Sequence, residues 1–230
     1  MSVVYLVRHG QASFGSSDYD KLSDLGEQQS EVLGKALRDR LPTIDRVVTG
    51  AMSRHRRTAE IALAAMGYAA ETIEDPRWNE YDHEEVIHRH KPAYRNRVVM
   101  AADLARRRDS RRAFQEMFDQ ALTRWAGGEF DHEYAEPWNA LGDRAQSALD
   151  DLIEQMDRSQ SALVFTSGGA ISALTAKLLG LPPSAWLNLN RVMVNGAVTK
   201  IVSGRGGVNL VSFNEHAHFE GEFRHLLSYR

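Results

Sequence analysis

Apolar residues run without a break from Val3 to Val7, and the chain then turns polar at Arg8 and His9. A short, β-branched, charge-free run of this kind marks a strand buried on both faces. Behind Ser23, a residue able to cap a helix, Leu25, Val32, Leu33, Ala36, Leu37 and Leu41 recur at helical spacing, and Pro42 follows. Arg46–Thr49 predicts a second short strand. Ala59, Ala62, Leu63 and Met66 predict a helix closed by Gly67, and Thr72–Ile73 falls in a third strand. From Trp78 to Glu136 the chain is rich in His, Arg and aromatic residues. There Phe114, Met117, Phe118, Ala121, Leu122 and Trp125 mark an amphipathic helix. This stretch, 78–136, reads as a mostly helical insertion within a single domain spanning 1–230. Trp138, Leu141, Ala145, Ala148, Leu149, Leu152, Ile153 and Met156 then predict a long helix. "SALVFTSGG" predicts a buried strand entering a glycine turn, and Ile171, Leu174, Leu178 and Leu179 the helix after it. Ala197–Ser203 and Val208–Phe213 form a hairpin pattern around "GRGG".

Strands alternating with helices predict a three-layer α/β/α sandwich with a mainly parallel sheet. Ligands of such sheets bind beyond the carboxyl ends of the strands. Arg8–His9–Gly10, Thr49–Gly50 and Thr166–Ser167–Gly168–Gly169 are therefore expected on one rim, although they lie far apart in the chain.

Composition narrows the picture. The chain has 230 residues, 43% hydrophobic and 26% charged, enough to bury a sizeable core. A net charge of -3 offers no global attraction to nucleic acid. The absence of cysteine excludes disulfides, thiol catalysis and cysteine-held metals. Met1–Val7 is too short and too soon followed by Arg8 for a signal peptide, and no run reaches the roughly 18 apolar residues of a membrane span. The expectation is a cytoplasmic protein with no membrane partner.

The rim residues suggest chemistry. Phosphoryl transfer needs cations for the non-bridging oxygens, an in-line nucleophile and an acid for the leaving oxygen. Arginine suits the first task through its planar fork. A neutral imidazole suits the second, and a carboxyl group shielded from water the third. The alternative for Arg8–His9 is an ordinary strand end meeting water.

Three motifs in order carry a resemblance: "VRHGQAS", "LSDLGEQQ" and "GAMSRHRRTA". Together with the ending "FNEHAHF…LLSYR", they resemble the histidine phosphatases, the phosphoglycerate mutase-like superfamily, over nearly the whole chain. The resemblance implies that His9 is phosphorylated, that Arg8 and Arg54 bind the phosphoryl oxygens, and that Glu80 of "WNEYD" is the acid/base. Gln11 stands where the family has a glutamate after Arg-His-Gly and is expected among the phosphate-binding residues, and Gly15 stands where many members have asparagine. A third departure bears on activity. The family's second histidine, after its fourth strand, is Ser167 here, in "FTSGGAIS". A serine brings a donor but no positive charge. Ser167 and the backbone N–H groups at Gly168 and Gly169 are then the remaining phosphate contacts on that loop.

His55, His216 and His218 are candidates to substitute for the second histidine. They read as surface or packing residues, and the spacing of His83, His88 and His90 does not suit a metal site. Arg89 to Arg112 holds nine Lys/Arg against Asp103 and Asp109. It reads as a solvated helical face, the rival being a cationic rim that attracts a phosphorylated substrate. With Tyr94 the single aromatic in the stretch, aromatic residues are not interleaved with these arginines in the manner nucleic-acid binding would require. The resemblance, with "NEYDHEE" around the acid, implies a histidine acid phosphatase-type phosphomonoesterase working on a small phosphorylated substrate through His9, without cofactor or metal. The alternatives are a phosphoglycerate mutase-type phosphotransferase and a phosphate-binding pseudoenzyme impaired by Ser167.

Overall fold

The computed structural model describes residues 1–13, 20–41 and 43–229. Gly15 and Pro42 lie outside the described residues. The strands are β1 (Ser2–Arg8), β2 (Arg46–Thr49), β3 (Thr72–Glu74), β4 (Ser161–Thr166), β5 (Val198–Gly204) and β6 (Gly207–Glu215). They form one sheet in the order β3-β2-β4-β1-β5-β6. β3, β2, β4 and β1 are parallel, and the β5–β6 hairpin runs antiparallel beside β1. The sheet is thus mainly parallel, as the alternating pattern predicts.

Alternate residues on the central strands face two helical layers. Val7, Val47, Leu163 and Phe165 pack against α1 (Asp24–Arg40) and α2 (Ser53–Met66). Leu6, Val48, Ala162 and Val164 pack against α6 (Trp138–Glu154) and α7 (Gly168–Leu178). Both faces are covered, which explains why β1 and β4 read as unbroken apolar runs rather than alternating ones.

Helix ends follow local chemistry. Ser23 Oγ accepts from the Gly26 N–H at 3.1 Å and opens α1. α2 closes on Gly67, whose φ of 70° suits glycine. Between β3 and α6 lie α3 (His83–His90), α4 (Arg97–Ala105) and α5 (Ser110–Ala126) with short 3₁₀ turns, so the stretch is helical as expected. Tyr81, Leu122, Trp125 and Trp186 join it to α7 through an aromatic cluster.

Two readings need correction. Gly168 and Gly169 are not a turn before a helix but the first residues of α7 itself. An additional helix, α8 (Pro183–Arg191), follows, in a stretch to which the sequence reading assigns no element. Leu179, assigned to a helix, is the exposed residue that ends α7.

The register aligns the strand ends. Arg8 pairs with Thr166, and Thr49 with Phe165. The three polar loops therefore emerge together at the carboxyl edge of the sheet, the place where parallel sheets hold ligands.

Candidate active site

His9 sits one residue past β1 and is 6% exposed. Its backbone is held on both sides: its N–H donates to Thr166 O at 2.9 Å, and its carbonyl accepts from Asn195 Nδ2 at 3.2 Å. The next residue must be glycine, because a Cβ on Gly10 would overlap the Gly26 carbonyl. A Cβ on Gly26 would in turn overlap Gln11 O. The glycines of two separate motifs thus let the start of α1 touch the loop behind His9.

The imidazole is oriented. Nδ1 lies 2.6 Å from Gly10 O, and since a carbonyl only accepts, Nδ1 carries the proton. The lone pair is then on Nε2, where Arg54 Nε donates at 3.1 Å. Burial above all, with repulsion from Arg54, His55 and Arg8, lowers the pKa well below 6.5, against the opposing Gly10 bond. The ring is a neutral base with its lone pair aimed at a guanidinium, the geometry of a nucleophile awaiting an anion.

Arg54 is a first-turn residue of α2 that turns inward, and it is 4% exposed. Its Nη1 donates to Asp20 Oδ1 at 2.8 Å, and Asp20 Oδ2 accepts from the Ser53 N–H at 2.7 Å. Asp20 caps α2 and steers its arginine at once, a role with no signature in the sequence. Arg8 lies alongside Gly168, whose Cβ position would be 3.2 Å from Arg8 Nε. Arg8 Nη1 donates to Met193 O and, at 3.0 Å, to Tyr229 O near the chain end.

Glu80 arrives on the loop after β3. Arg144 Nη1 donates to the carbonyls of Arg77 (2.6 Å) and Asn79 (2.9 Å), while Asn79 Oδ1 accepts from the Ala51 N–H at 2.7 Å. The loop is thereby tied to α6 on one side and to the β2–α2 connection on the other. Glu80 Oε2 accepts from the Gly169 N–H at 3.2 Å, and Oε1 from the Tyr81 N–H at 3.3 Å. Desolvation raises its pKa, opposed by Arg54, the Gly169 N–H, Arg8 and the Tyr81 N–H. Only glycine fits at 169, since a Cβ there would overlap Glu80 Oε1. The N–H expected to face an anion is spent on the carboxylate instead.

Arg8, His9, Arg54 and Glu80 therefore converge, with the charges of Arg54 and Arg8 felt at both His9 and Glu80. Ser167, at the end of β4, is fully buried beside them. Gln11 belongs to the frame: its N–H donates to Gln29 Oε1 at 2.8 Å, and its Oε1 accepts from Ser23 Oγ at 3.0 Å.

His55 is the residue sequence reasoning missed. Read as a surface or packing histidine, it is fully buried inside the site, with Nε2 2.6 Å from Ser167 Oγ and its ring 5.5 Å from that of His9. Its helical neighbour Arg54 was legible from the motif, whereas His55 gave no signal of facing inward. His216 and His218 lie elsewhere, bonded to the carbonyls of Asn214 and Gly196. His83 is nearer: burial lowers its pKa, with Arg54 among the contributing charges. Among the described residues no three His, Asp or Glu side chains group closely enough to hold a metal ion.

Fold and site together define a class: an α/β protein whose strand ends gather a neutral histidine, two arginines and a shielded carboxyl group. The pattern of the histidine phosphatase superfamily (branch 1) matches residues 4–216, and the chain belongs to that superfamily. It is 31% identical over 193 residues to a probable phosphoglycerate mutase, GpmB, of Erwinia tasmaniensis, covering 80% of this chain and 78% of that one. Among solved structures, Bacillus stearothermophilus YhfR superposes with a TM-score of 0.66 at 21% identity, covering 96% of this chain and all of the other. A phosphoserine phosphatase mutant from Entamoeba histolytica in complex with phosphoserine superposes at 0.65 with 15% identity, over 95% and 99% of the two chains. These likenesses mark an enzyme of the phosphatase and mutase class. No helix among the described residues is long and apolar enough to cross a membrane.

Proposed function

We propose that the protein hydrolyses small phosphomonoesters through a phosphohistidine on His9. The observation that carries this reading is the His9 ring, its tautomer set by Gly10 O and its Nε2 lone pair facing Arg54. In the first step Nε2 attacks phosphorus and the bond to the ester oxygen breaks. Glu80, protonated, gives its proton to that oxygen, and the alcohol leaves. In the second step the Glu80 carboxylate takes a proton from water. The water oxygen attacks phosphorus, the P–N bond breaks and phosphate departs. Arg54 and Arg8 hold the non-bridging oxygens. A raised Glu80 pKa and a lowered His9 pKa favour the acid and the base being present together.

The named relatives support a small phosphorylated metabolite as substrate, and one of them supports a second reading, transfer within a phosphoglycerate. The chain's "NEYDHEE" around the acid favours hydrolysis. The test is p-nitrophenyl phosphate turnover with rapid acid-free quench of a labelled substrate. A base-stable, acid-labile label on His9 is expected, and His9→Ala should abolish both label and turnover. Turnover surviving in His9→Ala at the wild-type rate sinks the reading. Incubation with 3-phosphoglycerate separates the two activities: released phosphate means hydrolysis, and 2-phosphoglycerate without release means mutase.

A further inference from the structure

His55 is a titratable side chain, fully buried, that the proposed steps do not use. It sits beside Arg54 on the first turn of α2 and reaches across to the end of β4. Room for it is built in, because a Cβ on Gly50 would overlap His55 Nδ1. Among the described residues Nδ1 meets no hydrogen-bond partner, and Nε2 meets Ser167 Oγ at 2.6 Å.

These contacts fix where the protons are. A proton on Nδ1 would be a buried donor without an acceptor, which costs the full desolvation of that group. The favoured tautomer carries it on Nε2, so the imidazole donates and Ser167 Oγ accepts. Burial, then Arg54 and Arg56, disfavours a second proton on the ring. The serine's own hydroxyl proton is then unspent. Ser167 is the N-cap of α7, yet its side chain makes no capping bond, although such a bond ordinarily stabilises a helix. Among the described residues no other side-chain bond is made by Ser167 Oγ. Ser167 follows Thr166, whose carbonyl takes the His9 N–H, and precedes Gly168, which lies against Arg8.

We propose that His55 and Ser167 act as one hydrogen-bonding unit, the imidazole orienting the serine hydroxyl so that its proton is presented to a phosphoryl oxygen bound at His9. His55 is then a positioning residue, acting through Ser167. The unit adds a donor without adding a third cation to a site that already holds Arg8 and Arg54. It reverses the expectation that serine at this position leaves the site short of an imidazole: the imidazole comes from α2. The inference rests on the proposed function for the identity of the bound group.

The test is a double-mutant cycle with Ser167→Ala, His55→Ala and the double variant, plus His55→Gln, whose amide N–H can still donate. Circular dichroism and thermal melting check folding. Turnover of p-nitrophenyl phosphate and affinity for orthovanadate are measured separately. Ser167→Ala and His55→Ala are each expected to lower kcat by on the order of 10², with a smaller change in KM. The double variant should be no worse than the poorer single, since the two side chains do one job. His55→Gln should recover part of the loss. Wild-type kcat and vanadate affinity in Ser167→Ala overturn the unit, as does a double variant whose loss is the product of the singles. If His9→Ala keeps full turnover, the proposed function fails. Vanadate binding then judges the unit alone, weaker binding in Ser167→Ala supporting it and equal binding overturning it.

Discussion

Arginine occurs in two settings in this molecule, and they differ in what the surrounding structure does to the charge. Arg54 has a side chain 5% exposed, gripped by His9 Nε2 and Asp20, at the carboxyl edge of the sheet. Across the helical stretch, Arg97 and Arg112 are 76% and 77% exposed and pair with Glu84 and Glu116 on the surface. Lys91 is likewise paired, with Asp103 at 2.6 Å, a bond that with Tyr94 lowers the Asp103 pKa to about 2. Exposed pairs are screened by water and salt and act weakly. At His9, His55 and Glu80 burial is the main cause of the pKa shift, and the buried guanidinium of Arg54 adds to it at the two histidines and opposes it at Glu80, a directed influence that no exposed pair exerts on the site. Local density of positive charge is therefore a poor guide to function here, and confinement is a good one.

The sharpest way to break this contrast is at the acid. Glu80→Gln removes the transferable proton and should lower kcat on an ester with a poor leaving group by about 10²–10⁴. Wild-type activity should fall as pH rises through the raised Glu80 pKa, because the acid form is then lost, and this limb should vanish in Glu80→Gln. A pH–rate profile with the limb intact in the variant would move the acid role elsewhere.

Arg54→Gln comes next, with an expected loss of about 10²–10³ in kcat/KM, the scale of one preorganised donor to developing charge. Gly169→Ala should cost about 10², since the added Cβ displaces Glu80 without touching its chemistry. A crystal structure of that variant with Glu80 unmoved would contradict the account. The smallest effect belongs to the surface. Arg107→Gln, Arg108→Gln and Arg111→Gln together should leave kcat/KM within about twofold at physiological salt. A large, salt-dependent rise in KM would instead restore the cationic-rim reading.

Stability offers an independent check. His9 and His55 have folded-state pKa values depressed below 6.5, so the unfolded chain binds more protons there. Their contribution is complete above pH 6.5 and is lost as pH falls from 6.5 toward the depressed values. The thermal midpoint should drop on acidification through that window, and less steeply in His55→Gln. An equal slope in the variant would show that His55 is already charged in the folded protein.

Local pattern alone determined the alternating order of strands and helices, the mainly parallel sheet, and the meeting of Arg8–His9–Gly10 with Thr49–Gly50 and Thr166–Ser167 at its carboxyl edge. These follow from period, capping and the rule that parallel strands point their ends the same way, all of which are written in short stretches of chain. Arg54 was placed at that edge by the resemblance of its motif. Glu80 was legible through its motif, but not its anchoring. That depends on Gly169, 89 positions from Glu80, and on Arg144, 67 and 65 positions from the carbonyls of Arg77 and Asn79 that it holds. Asp20 was invisible for the same reason, and His55, a candidate on its residue type, could not be placed. A carboxylate or an imidazole on a short polar stretch has no preferred partner until the fold supplies one. Whether position 55 of α2 turns toward water or toward Ser167 was decided by the packing of that helix against the sheet, and by the missing side chain at Gly50 that leaves the imidazole its space.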